Sequence, residues 1–358
     1  MIRCILNVGF FHHLIPGWSA RRTSLSFLFI FTFHPDLDLH HLINMTDPHN
    51  ILFPQNPPIC HSHWPVWNHQ SEAIAATITR LGPVPTTCPL CAGQRLTEMF
   101  ALIDKRFWRC CACQLVFVHA IYPEYSGDFH APTGVDSSER MLANERERAR
   151  LRRKVTHLRT YRQTCRWLEV GPGQGDQLAI AKDAGWQVHA VEINPVAIPR
   201  LKRIADDRIF YGDLLAARYP DDHFDVVISN EVIEHLIDPL EFFRETHRIL
   251  RPGGIAVMST GNGRGWTARL RGRDWKYFGE GGLRFGHIRF FSPTTAQIVG
   301  QLCGFSRVWS TSHGFAFGER GELANRWYRL PAKIVQGLVS PITQLANAGQ
   351  RLIMCLQR

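Results

Sequence analysis

Two closely spaced cysteine pairs lie in the first third of the chain, each with the spacing C-x-x-C. Their four thiols belong to Cys88, Cys91, Cys110 and Cys113. Four thiolates at this spacing match a closed, tetrahedral structural zinc site. A segment of this size has little core of its own, so the bound metal would supply its folding energy. We therefore predict a small zinc ribbon over residues 87–122, with Cys111 outside the ligand set.

A glycine-rich turn, residues 171–175 (G-P-G-Q-G), follows a short apolar segment. Glycines at the end of a strand let the backbone approach a ligand closely. The dinucleotide pattern G-x-G-x-x-G would need glycine at position 176, where this chain has Asp176, an acid that would repel a pyrophosphate. Further along, Glu192 ends the next apolar segment and can accept hydrogen bonds from both ribose hydroxyls of an adenosine. The pattern indicates an adenosine-containing ligand.

Residues 165–312 resemble the class I S-adenosylmethionine-dependent methyltransferases. The resemblance rests on the glycine turn, Glu192, Gly212-Asp213, residues 224–230 and residues 251–254 (R-P-G-G). It implies a Rossmann-like α/β sheet with helices on both faces, methyl transfer, and S-adenosylmethionine as the donor. It assigns Glu169 and the glycine turn to the methionine part, Glu192 to the ribose, and Asp213 with Leu214 to the adenine. The implied cofactor-binding set is Glu169, Gly171, Gly173, Gly175, Glu192, Ile193, Asp213, Leu214 and Asn230.

Residues 230–239 are similar to the ubiquinone-biosynthesis type of O-methyltransferase. In some of those enzymes two glutamates and a histidine hold Mg²⁺ near the acceptor hydroxyl, and Glu231, Glu234 and His235 would do so here. Their spacing places them on one side of a helical turn. Other relatives carry the same E-x-x-E-H sequence without a known metal, so the resemblance leaves magnesium open. As catalytic residues we expect His235, the best-placed general base, with Glu231 and His287.

Alternating strand and helix patterns must position these residues. Apolar strand segments at 167–170, 187–193, 208–211, 224–229 and 255–259 are separated by helical stretches. This alternation predicts βαβ crossovers and a mainly parallel sheet. We place the methyltransferase domain at 137–315. It begins with a basic helical stretch, expected to be solvated, and includes an arginine- and aromatic-rich insertion at 261–291, expected to cover the acceptor.

The remaining segments lie at the two ends of the chain. The apolar run at 25–33 is shorter than the ~20 residues that span a bilayer. Because Met45-Thr46-Asp47 looks like a more natural start, residues 1–44 are expected to be a disordered or spurious extension. Residues 45–86, rich in Pro, His and Asn, read as irregular. Apolar residues at helical spacing predict an amphipathic helical tail over 316–358, packed on the domain or lying on a membrane surface.

Composition limits the surroundings and the partners of the protein. Ten cysteines in 358 residues are too few for a secreted disulfide scaffold and favour a reducing, cytoplasmic location. The net charge of +10 suits an anionic partner, although a solvated basic surface would account for it equally well.

The leading hypothesis is O-methylation of a small, possibly anionic, hydroxyl acceptor such as a quinone, phenol, sugar or glycan precursor. Two alternatives stay open: an rRNA or tRNA methyltransferase with a zinc ribbon, and a non-catalytic zinc-ribbon protein that binds nucleic acid. Against base methylation, the fourth strand ends in S-N-E rather than N-P-P-aromatic, and the chain has no Pro-Cys dipeptide.

Overall fold

The computed structural model describes residues 84–102, 105–118, 145–279, 287–314, 339 and 341–358. The predicted extension at 1–44 and most of the irregular segment at 45–86 lie outside these residues. So do the end of the predicted ribbon, part of the insertion (280–286) and much of the predicted tail (316–338 and 340).

The cysteine-bearing segment folds as an antiparallel sheet. Strand β1 (Leu96–Leu102) pairs with β2 (Lys105–Cys110), and β2 pairs with β3 (Val116–Val118). The two cysteine pairs lie before β1 and around the end of β2, so the β1–β2 hairpin brings them together. We call residues 84–118, as far as they are described, the cysteine ribbon.

After helix α1 (Glu145–His157), strands and helices alternate as predicted. They are β4 (Arg166–Val170), α2 (Asp176–Asp183), β5 (Gln187–Glu192), α3 (Ile198–Ala205), β6 (Ile209–Tyr211), β7 (Phe224–Asn230), α4 (Pro239–Ile249) and β8 (Leu250–Gly261). The five strands are parallel, in the order β6-β5-β4-β7-β8. The chain therefore changes direction across the sheet at β4, and open α/β sheets bind ligands at this switch point.

The C-terminal part completes the sheet. Its elements are α5 (Trp266–Arg271), α6 (Lys276–Gly279), β9 (Arg289–Phe290), α7 (Pro293–Cys303), β10 (Arg307–His313) and β11 (Arg351–Gln357). Strand β11 lies between β8 and β10 and is antiparallel to both, which gives seven strands. Strand β9 pairs instead with β3 of the cysteine ribbon.

The prediction of a helical tail over 316–358 is wrong for its last residues. Residues 351–357 form a strand in which Leu352, Met354 and Leu356 are buried and alternate with more accessible residues. This period of two fits a strand with one face on the core. Pairing with β8 and β10 on both sides overrides the helical spacing of the preceding segment.

Helices cover both faces of the seven-stranded sheet, as the sequence predicted. On one face, Phe243 of α4 and Val299 of α7 pack on strand residues such as Val227. On the other face, α1, α2 and α3 pack on residues such as Val226. Within the described ranges, none of the helices combines the length and the apolarity that crossing a bilayer requires.

The cysteine ribbon shares its core with the α/β domain. Leu115 and Phe117 belong to the same buried cluster as Phe291 and Val299. The hydroxyl of Thr295, on α7, donates a hydrogen bond of 3.0 Å to the main-chain oxygen of Cys113. The ribbon is therefore packed as part of one body with the sheet.

Two helices of the α/β domain begin at side-chain caps. Asp238 accepts a hydrogen bond from the backbone N–H of Glu241 at 3.1 Å and begins α4. Ser292 accepts one from Thr295 at 3.2 Å and begins α7. Such caps satisfy N–H groups that have no partner within the helix. The loop from β7 carries the E-x-x-E-H residues, and the α4 cap fixes the point at which this loop ends.

Candidate active site

A cavity of about 440 Å³ opens at the carboxyl ends of the parallel strands. The predicted cofactor residues that line it are Gly171, Gly173, Glu192, Ile193, Asp213 and Leu214. Glu231 and His235 from the loop after β7 line the same cavity. The structure therefore brings the expected adenosine-binding and acceptor residues to one space.

The glycine turn meets that cavity with backbone that other residues would not adopt easily. Gly171 and Gly173 have φ values of +66° and +54°, in the left-handed region. A Cβ on Gly171 would lie 2.6 Å from the Val232 side chain, whereas a Cβ on Gly173 would meet nothing within 4 Å. The first glycine is needed for packing, and the second leaves open space beside the cavity.

Gly175 has a different place from the other two glycines. It is the N-cap residue of α2 with φ +75°, and a Cβ there would lie 2.8 Å from Leu201 and Ile204 of α3. It lines neither of the two large cavities described. Its visible role is to let α2 begin against α3.

Glu192 is held in place by backbone donors. Its carboxylate accepts hydrogen bonds from the N–H of Gly173 at 3.2 Å and of Asn194 at 2.9 Å. The residue is 6% exposed and lines the cavity. A carboxylate oxygen has more than one lone pair, so the group can accept further bonds from a ligand.

The loop after β6 lines the part of the cavity to which the resemblance assigns the adenine. Leu214 is almost fully buried and offers an apolar surface. The carboxylate of Asp213 accepts a hydrogen bond from the backbone of Ala216 at 2.8 Å, so it also caps its own turn.

A second cavity, of about 460 Å³, lies on the other side of the glycine turn and contains Glu169 and Asn230. Its centre is a polar network that includes Lys154 of α1, a residue that the sequence analysis did not select. The Lys154 ammonium donates to Gln177 at 3.5 Å and to Asn230 at 3.4 Å, and Ser259 donates to Asn230 at 2.9 Å. Leu151 and Val155 belong to the apolar stripe of α1. Lys154 lies three residues after Leu151 and one before Val155, and this position could have indicated that its side chain points towards the domain.

Burial shifts the charges of this network. It raises the pKa of Glu169 to about 8, although the nearby Lys154 ammonium acts in the opposite direction. It also lowers the pKa of Lys154. An acid and a base that face one cavity and are both poorly solvated would each gain from a ligand of opposite charge.

The E-x-x-E-H residues divide into two groups. Glu231 has a positive φ of 54°, and its carboxylate pairs with Arg351 of β11 at 2.8 Å. Glu234 and His235 lie in a short 3₁₀ turn, Ile233–His235. His287, which comes from the insertion, joins these two, and one ligand atom from each lies within 4.8 Å of the others. The predicted magnesium set of Glu231, Glu234 and His235 is therefore not the set that converges.

Glu234 is a buried acid at this point. It is 1% exposed, and burial together with the neighbouring Glu231 raises its pKa to about 8. Thr260 lies near enough to favour the charged form, but neither carboxylate oxygen has a hydrogen bond of good geometry among the described residues. The His287 ring lies 4.9 Å from that of His235 and stacks on Tyr277 at 5.2 Å.

The described residues of the arginine- and aromatic-rich insertion do not line the cavity of about 440 Å³. Trp275 and Phe278 are buried in a cluster with Phe107 of the cysteine ribbon and Phe290 of β9. Among the described residues, no arginine lines the cavity of about 440 Å³. Arg284 lies outside the described residues.

The four predicted zinc ligands converge in the cysteine ribbon. Their Sγ atoms lie within 4.8 Å of one another, and the Cys88–Cys113 and Cys91–Cys110 pairs are each 3.6 Å apart. Zinc bound tetrahedrally at ~2.3 Å from each sulfur would give sulfur–sulfur distances of about 3.8 Å. The donor set and its spacing fit a structural zinc ion.

Comparison with known proteins gives one match to a family. Residues 141–308 match the sequence profile of a methyltransferase-domain family. A probable S-adenosylmethionine-dependent methyltransferase of Mycolicibacterium smegmatis is 34% identical over 96 residues, which are 26% of this chain and 37% of the relative. The 2-methyl-6-phytyl-1,4-hydroquinone methyltransferase of Synechocystis is 35% identical over 102 residues, 27% of this chain and 32% of its own.

Two further similarities are shorter or more distant. A ubiquinone biosynthesis O-methyltransferase of Ruegeria pomeroyi is 51% identical over 41 residues, 12% of this chain and 16% of the relative. A crystal structure of an S-adenosylmethionine-dependent methyltransferase from Archaeoglobus fulgidus aligns with 62% of this chain and 97% of its own, at 19% identity and a TM-score of 0.44. This chain spans about a third of the length of the first two curated relatives (37% and 32%).

Proposed function

We propose that the chain methylates a hydroxyl group of a small organic acceptor, with S-adenosylmethionine as the methyl donor, on the basis of the match of residues 141–308 to a methyltransferase-domain family. The observation that carries the proposal is the position of Glu192. Its carboxylate is fixed by Gly173 and Asn194 at the wall of the cavity that also contains His235. One cavity thus contains both a carboxylate that can accept hydrogen bonds from a ribose and a side chain that can take up a proton.

An acid and a base beside the glycine turn support the assignment of the donor. S-adenosylmethionine supplies an electrophilic methyl group on a sulfonium, and its amino-acid end carries a carboxylate and an ammonium. Lys154 and Glu169 face the second cavity and suit those two groups respectively. Gln177 and Asn230, which are bonded to Lys154 or to each other, add polar partners there.

On the acceptor side, His235 is the residue best suited to receive the proton of the hydroxyl. It lines the cavity, and histidine is the side chain that most often serves as a general base. Glu231 lines the same cavity, but its carboxylate is already paired with the guanidinium of Arg351 at 2.8 Å. We assign His235 as the base and give Glu231 the role of positioning the loop.

The character of the lining favours a small, largely apolar acceptor. Val232, Leu236, Ile237 and Phe242 line the cavity near His235. Relatives include a 2-methyl-6-phytyl-1,4-hydroquinone methyltransferase and ubiquinone biosynthesis O-methyltransferases, which is in keeping with a quinol-like or phenolic acceptor. The arginines of α5, Arg269 and Arg271, lie outside this lining, so they give the cavity no visible preference for a polyanion.

We also propose that the cysteine ribbon holds a structural zinc ion. Cys88, Cys110 and Cys113 are buried, and a thiolate quartet of this spacing leaves no coordination position for a substrate. A Cβ on Gly93 would lie 3.2 Å from the sulfur of Cys91 and 3.3 Å from that of Cys110, so the backbone passes close to the proposed ion. The role of the ion would be stability, through the core that ribbon and sheet share.

The function is tested with S-adenosylmethionine labelled in its methyl group and fractionated cell extract, with and without ribonuclease. We expect label in a low-mass fraction that ribonuclease leaves unchanged, and none with the Glu192→Lys variant. Glu241→Lys, on the exposed side of α4, is the matched control and should label like the parent. Label that disappears with ribonuclease would establish the nucleic-acid alternative. Absence of S-adenosylhomocysteine binding would contradict the assignment of S-adenosylmethionine as the methyl donor.

A further inference from the structure

We propose that Glu234, His235 and His287 bind a divalent transition-metal ion, at a site separate from the four-cysteine site and different in ligands from the magnesium set implied by the resemblance. One ligand atom from each of the three residues lies within 4.8 Å of the other two. The proposal concerns binding of the ion itself. It rests on the proposed function only for its consequence at the acceptor.

The distances are close to those of a loaded site. The Nε2 atom of His287 lies 3.9 Å from a carboxylate oxygen of Glu234. Tetrahedral ligands at ~2.1 Å from an ion lie about 3.4 Å apart, so a contraction of about half an ångström would close this pair on the metal. Side-chain rotation alone can supply a movement of that size.

The backbone around the three residues is already fixed. Glu234 and His235 share one 3₁₀ turn, and the N–H of Ile288 donates to the main-chain oxygen of Glu234 at 2.9 Å. This bond holds the chain at His287 against the turn. Tyr277 stacks on the His287 ring and limits its orientation. The ligands therefore come from two segments that the fold holds together without an ion.

The carboxylate of Glu234 gives the second, independent indication. It is 1% exposed, and neither oxygen has a hydrogen bond of good geometry among the described residues. A buried acid without hydrogen bonds is costly, and native structures retain such groups where they serve a site. A cation between the carboxylate and the two imidazoles would satisfy it.

The donor set does not fit Mg²⁺. Magnesium demands octahedral oxygen coordination, usually from carboxylates and several waters. Two imidazoles with one carboxylate suit Zn²⁺, Fe²⁺, Mn²⁺ or Co²⁺ and leave positions open for other ligands. Glu231, the oxygen ligand that the magnesium set requires, is held by Arg351 at 2.8 Å.

The consequence for the proposed reaction follows from His235. Because His235 lines the cavity, an ion on its imidazole would border the space assigned to the acceptor. His235 would then be a ligand, and the ion would assist loss of the acceptor proton by lowering the pKa of a hydroxyl bound to it. Metal-free protein would depend on His235 as the base.

The test is a titration of the full-length protein, with its cysteine site filled by zinc, with Co²⁺ in the absence of any acceptor. Calorimetry and the visible absorption of Co²⁺ report the binding. We expect one additional equivalent of Co²⁺ to bind, and at least tenfold weaker binding in His287→Ala and in Glu234→Gln. Glu241→Gln, on the exposed side of α4, is the matched control and should bind Co²⁺ as the parent does.

Two further measurements make the result decisive. Thermal unfolding and S-adenosylhomocysteine binding of each variant show whether it is folded and whether the cofactor site is intact. Failure of methyl transfer would not affect the Co²⁺ result, because no acceptor is present. The proposal is overturned if the parent binds no Co²⁺ beyond the cysteine site, or if folded His287→Ala and Glu234→Gln bind Co²⁺ as tightly as the parent does.

Discussion

Arg289 donates a hydrogen bond of 2.8 Å from its guanidinium to the main-chain oxygen of Ile237. The same guanidinium donates to the main-chain oxygen of Val118, on the last strand of the cysteine ribbon, at 2.9 Å. Arg289 is 3% exposed, and burial lowers its pKa to about 10. One buried cation thus joins the ribbon to the loop that lines the acceptor end of the cavity.

Replacing this arginine is expected to loosen both segments. Arg289→Met removes the donor to the carbonyl of Ile237, an exposed residue, and the donor to the buried carbonyl of Val118, which left unsatisfied costs about 1–3 kcal/mol. We expect the free energy of unfolding to fall by about 2 kcal/mol or more, measured by urea unfolding. Arg244→Met, which removes an exposed ion pair on α4, should change it by less than about 1 kcal/mol. Equal effects would show that the link does not contribute.

The zinc proposal predicts a single unfolding transition for ribbon and domain. Cys113 lies in the same buried cluster as Val299 and Phe291, so loss of the ion should destabilise the sheet as well. Cys113→Ser should release zinc, measured by elemental analysis, and lower the midpoint of one cooperative thermal transition. Cys303→Ser, also buried but outside the thiol quartet, should keep its zinc. An early, separate transition of the ribbon would contradict the shared core.

The parts of the fold that local chemistry specifies could be predicted from the sequence. The cap residues Asp238 and Ser292 set helix starts, and the glycine turn marks the end of the first parallel strand. Each depends on residues a few positions apart. The strand at 351–357 could not be recognised as part of the sheet, because its partners lie about a hundred residues earlier or, in β10, beyond a long intervening segment.

The same distinction applies to the candidate site. Glu192 and His235 follow from motifs, but the approach of His287 to Glu234 depends on β9 pairing with the cysteine ribbon. Lys154 lies on a helix whose many arginines favoured a solvated interpretation, and only the apolar stripe around it indicates its direction. Tertiary contacts decide both positions.

The two glycines at the cavity provide a matched pair of substitutions. Both have a positive φ, so alanine at either costs about 1–2 kcal/mol in backbone strain. Gly171→Ala adds a clash with Val232 at 2.6 Å, whereas Gly173→Ala meets open space. We expect Gly171→Ala to lower the thermal midpoint clearly more than Gly173→Ala. Identical midpoints would show that the Val232 side chain can move away from the added methyl group without a loss of stability.

The role of Glu192 predicts a defect in cofactor binding with little change in fold. Glu192→Ala removes a charged acceptor of hydrogen bonds, which is worth about 1.5–3 kcal/mol. S-adenosylhomocysteine should therefore bind roughly 10- to 100-fold more weakly by calorimetry. Glu245→Ala, an acid of α4 that pairs with Arg248, is a control away from the cavity. Unchanged affinity in Glu192→Ala would remove the ribose assignment.

Glu169 predicts a specific dependence of stability on pH. Its pKa is raised from 4.5 to about 8 in the folded state. Below both values the acid is protonated whether the chain is folded or not, so stability is fully present there. As pH rises from about 5 to 8, the unfolded chain loses this proton and the folded chain keeps it, so the free energy of unfolding falls by at most about 1.4 kcal/mol per pH unit.

Glu169→Gln removes that proton from the balance, because glutamine stays neutral at every pH. The stability of the variant relative to the parent should therefore increase between about pH 5 and pH 8 and then level off, measured by urea unfolding in steps of one pH unit. Any contribution from Glu234 is the same in both proteins and cancels in the difference. Glu145→Gln, whose side chain is 75% exposed, should show no such slope. A difference that stays constant across this range would mean that Glu169 is ionised in the folded protein, stabilised by Lys154.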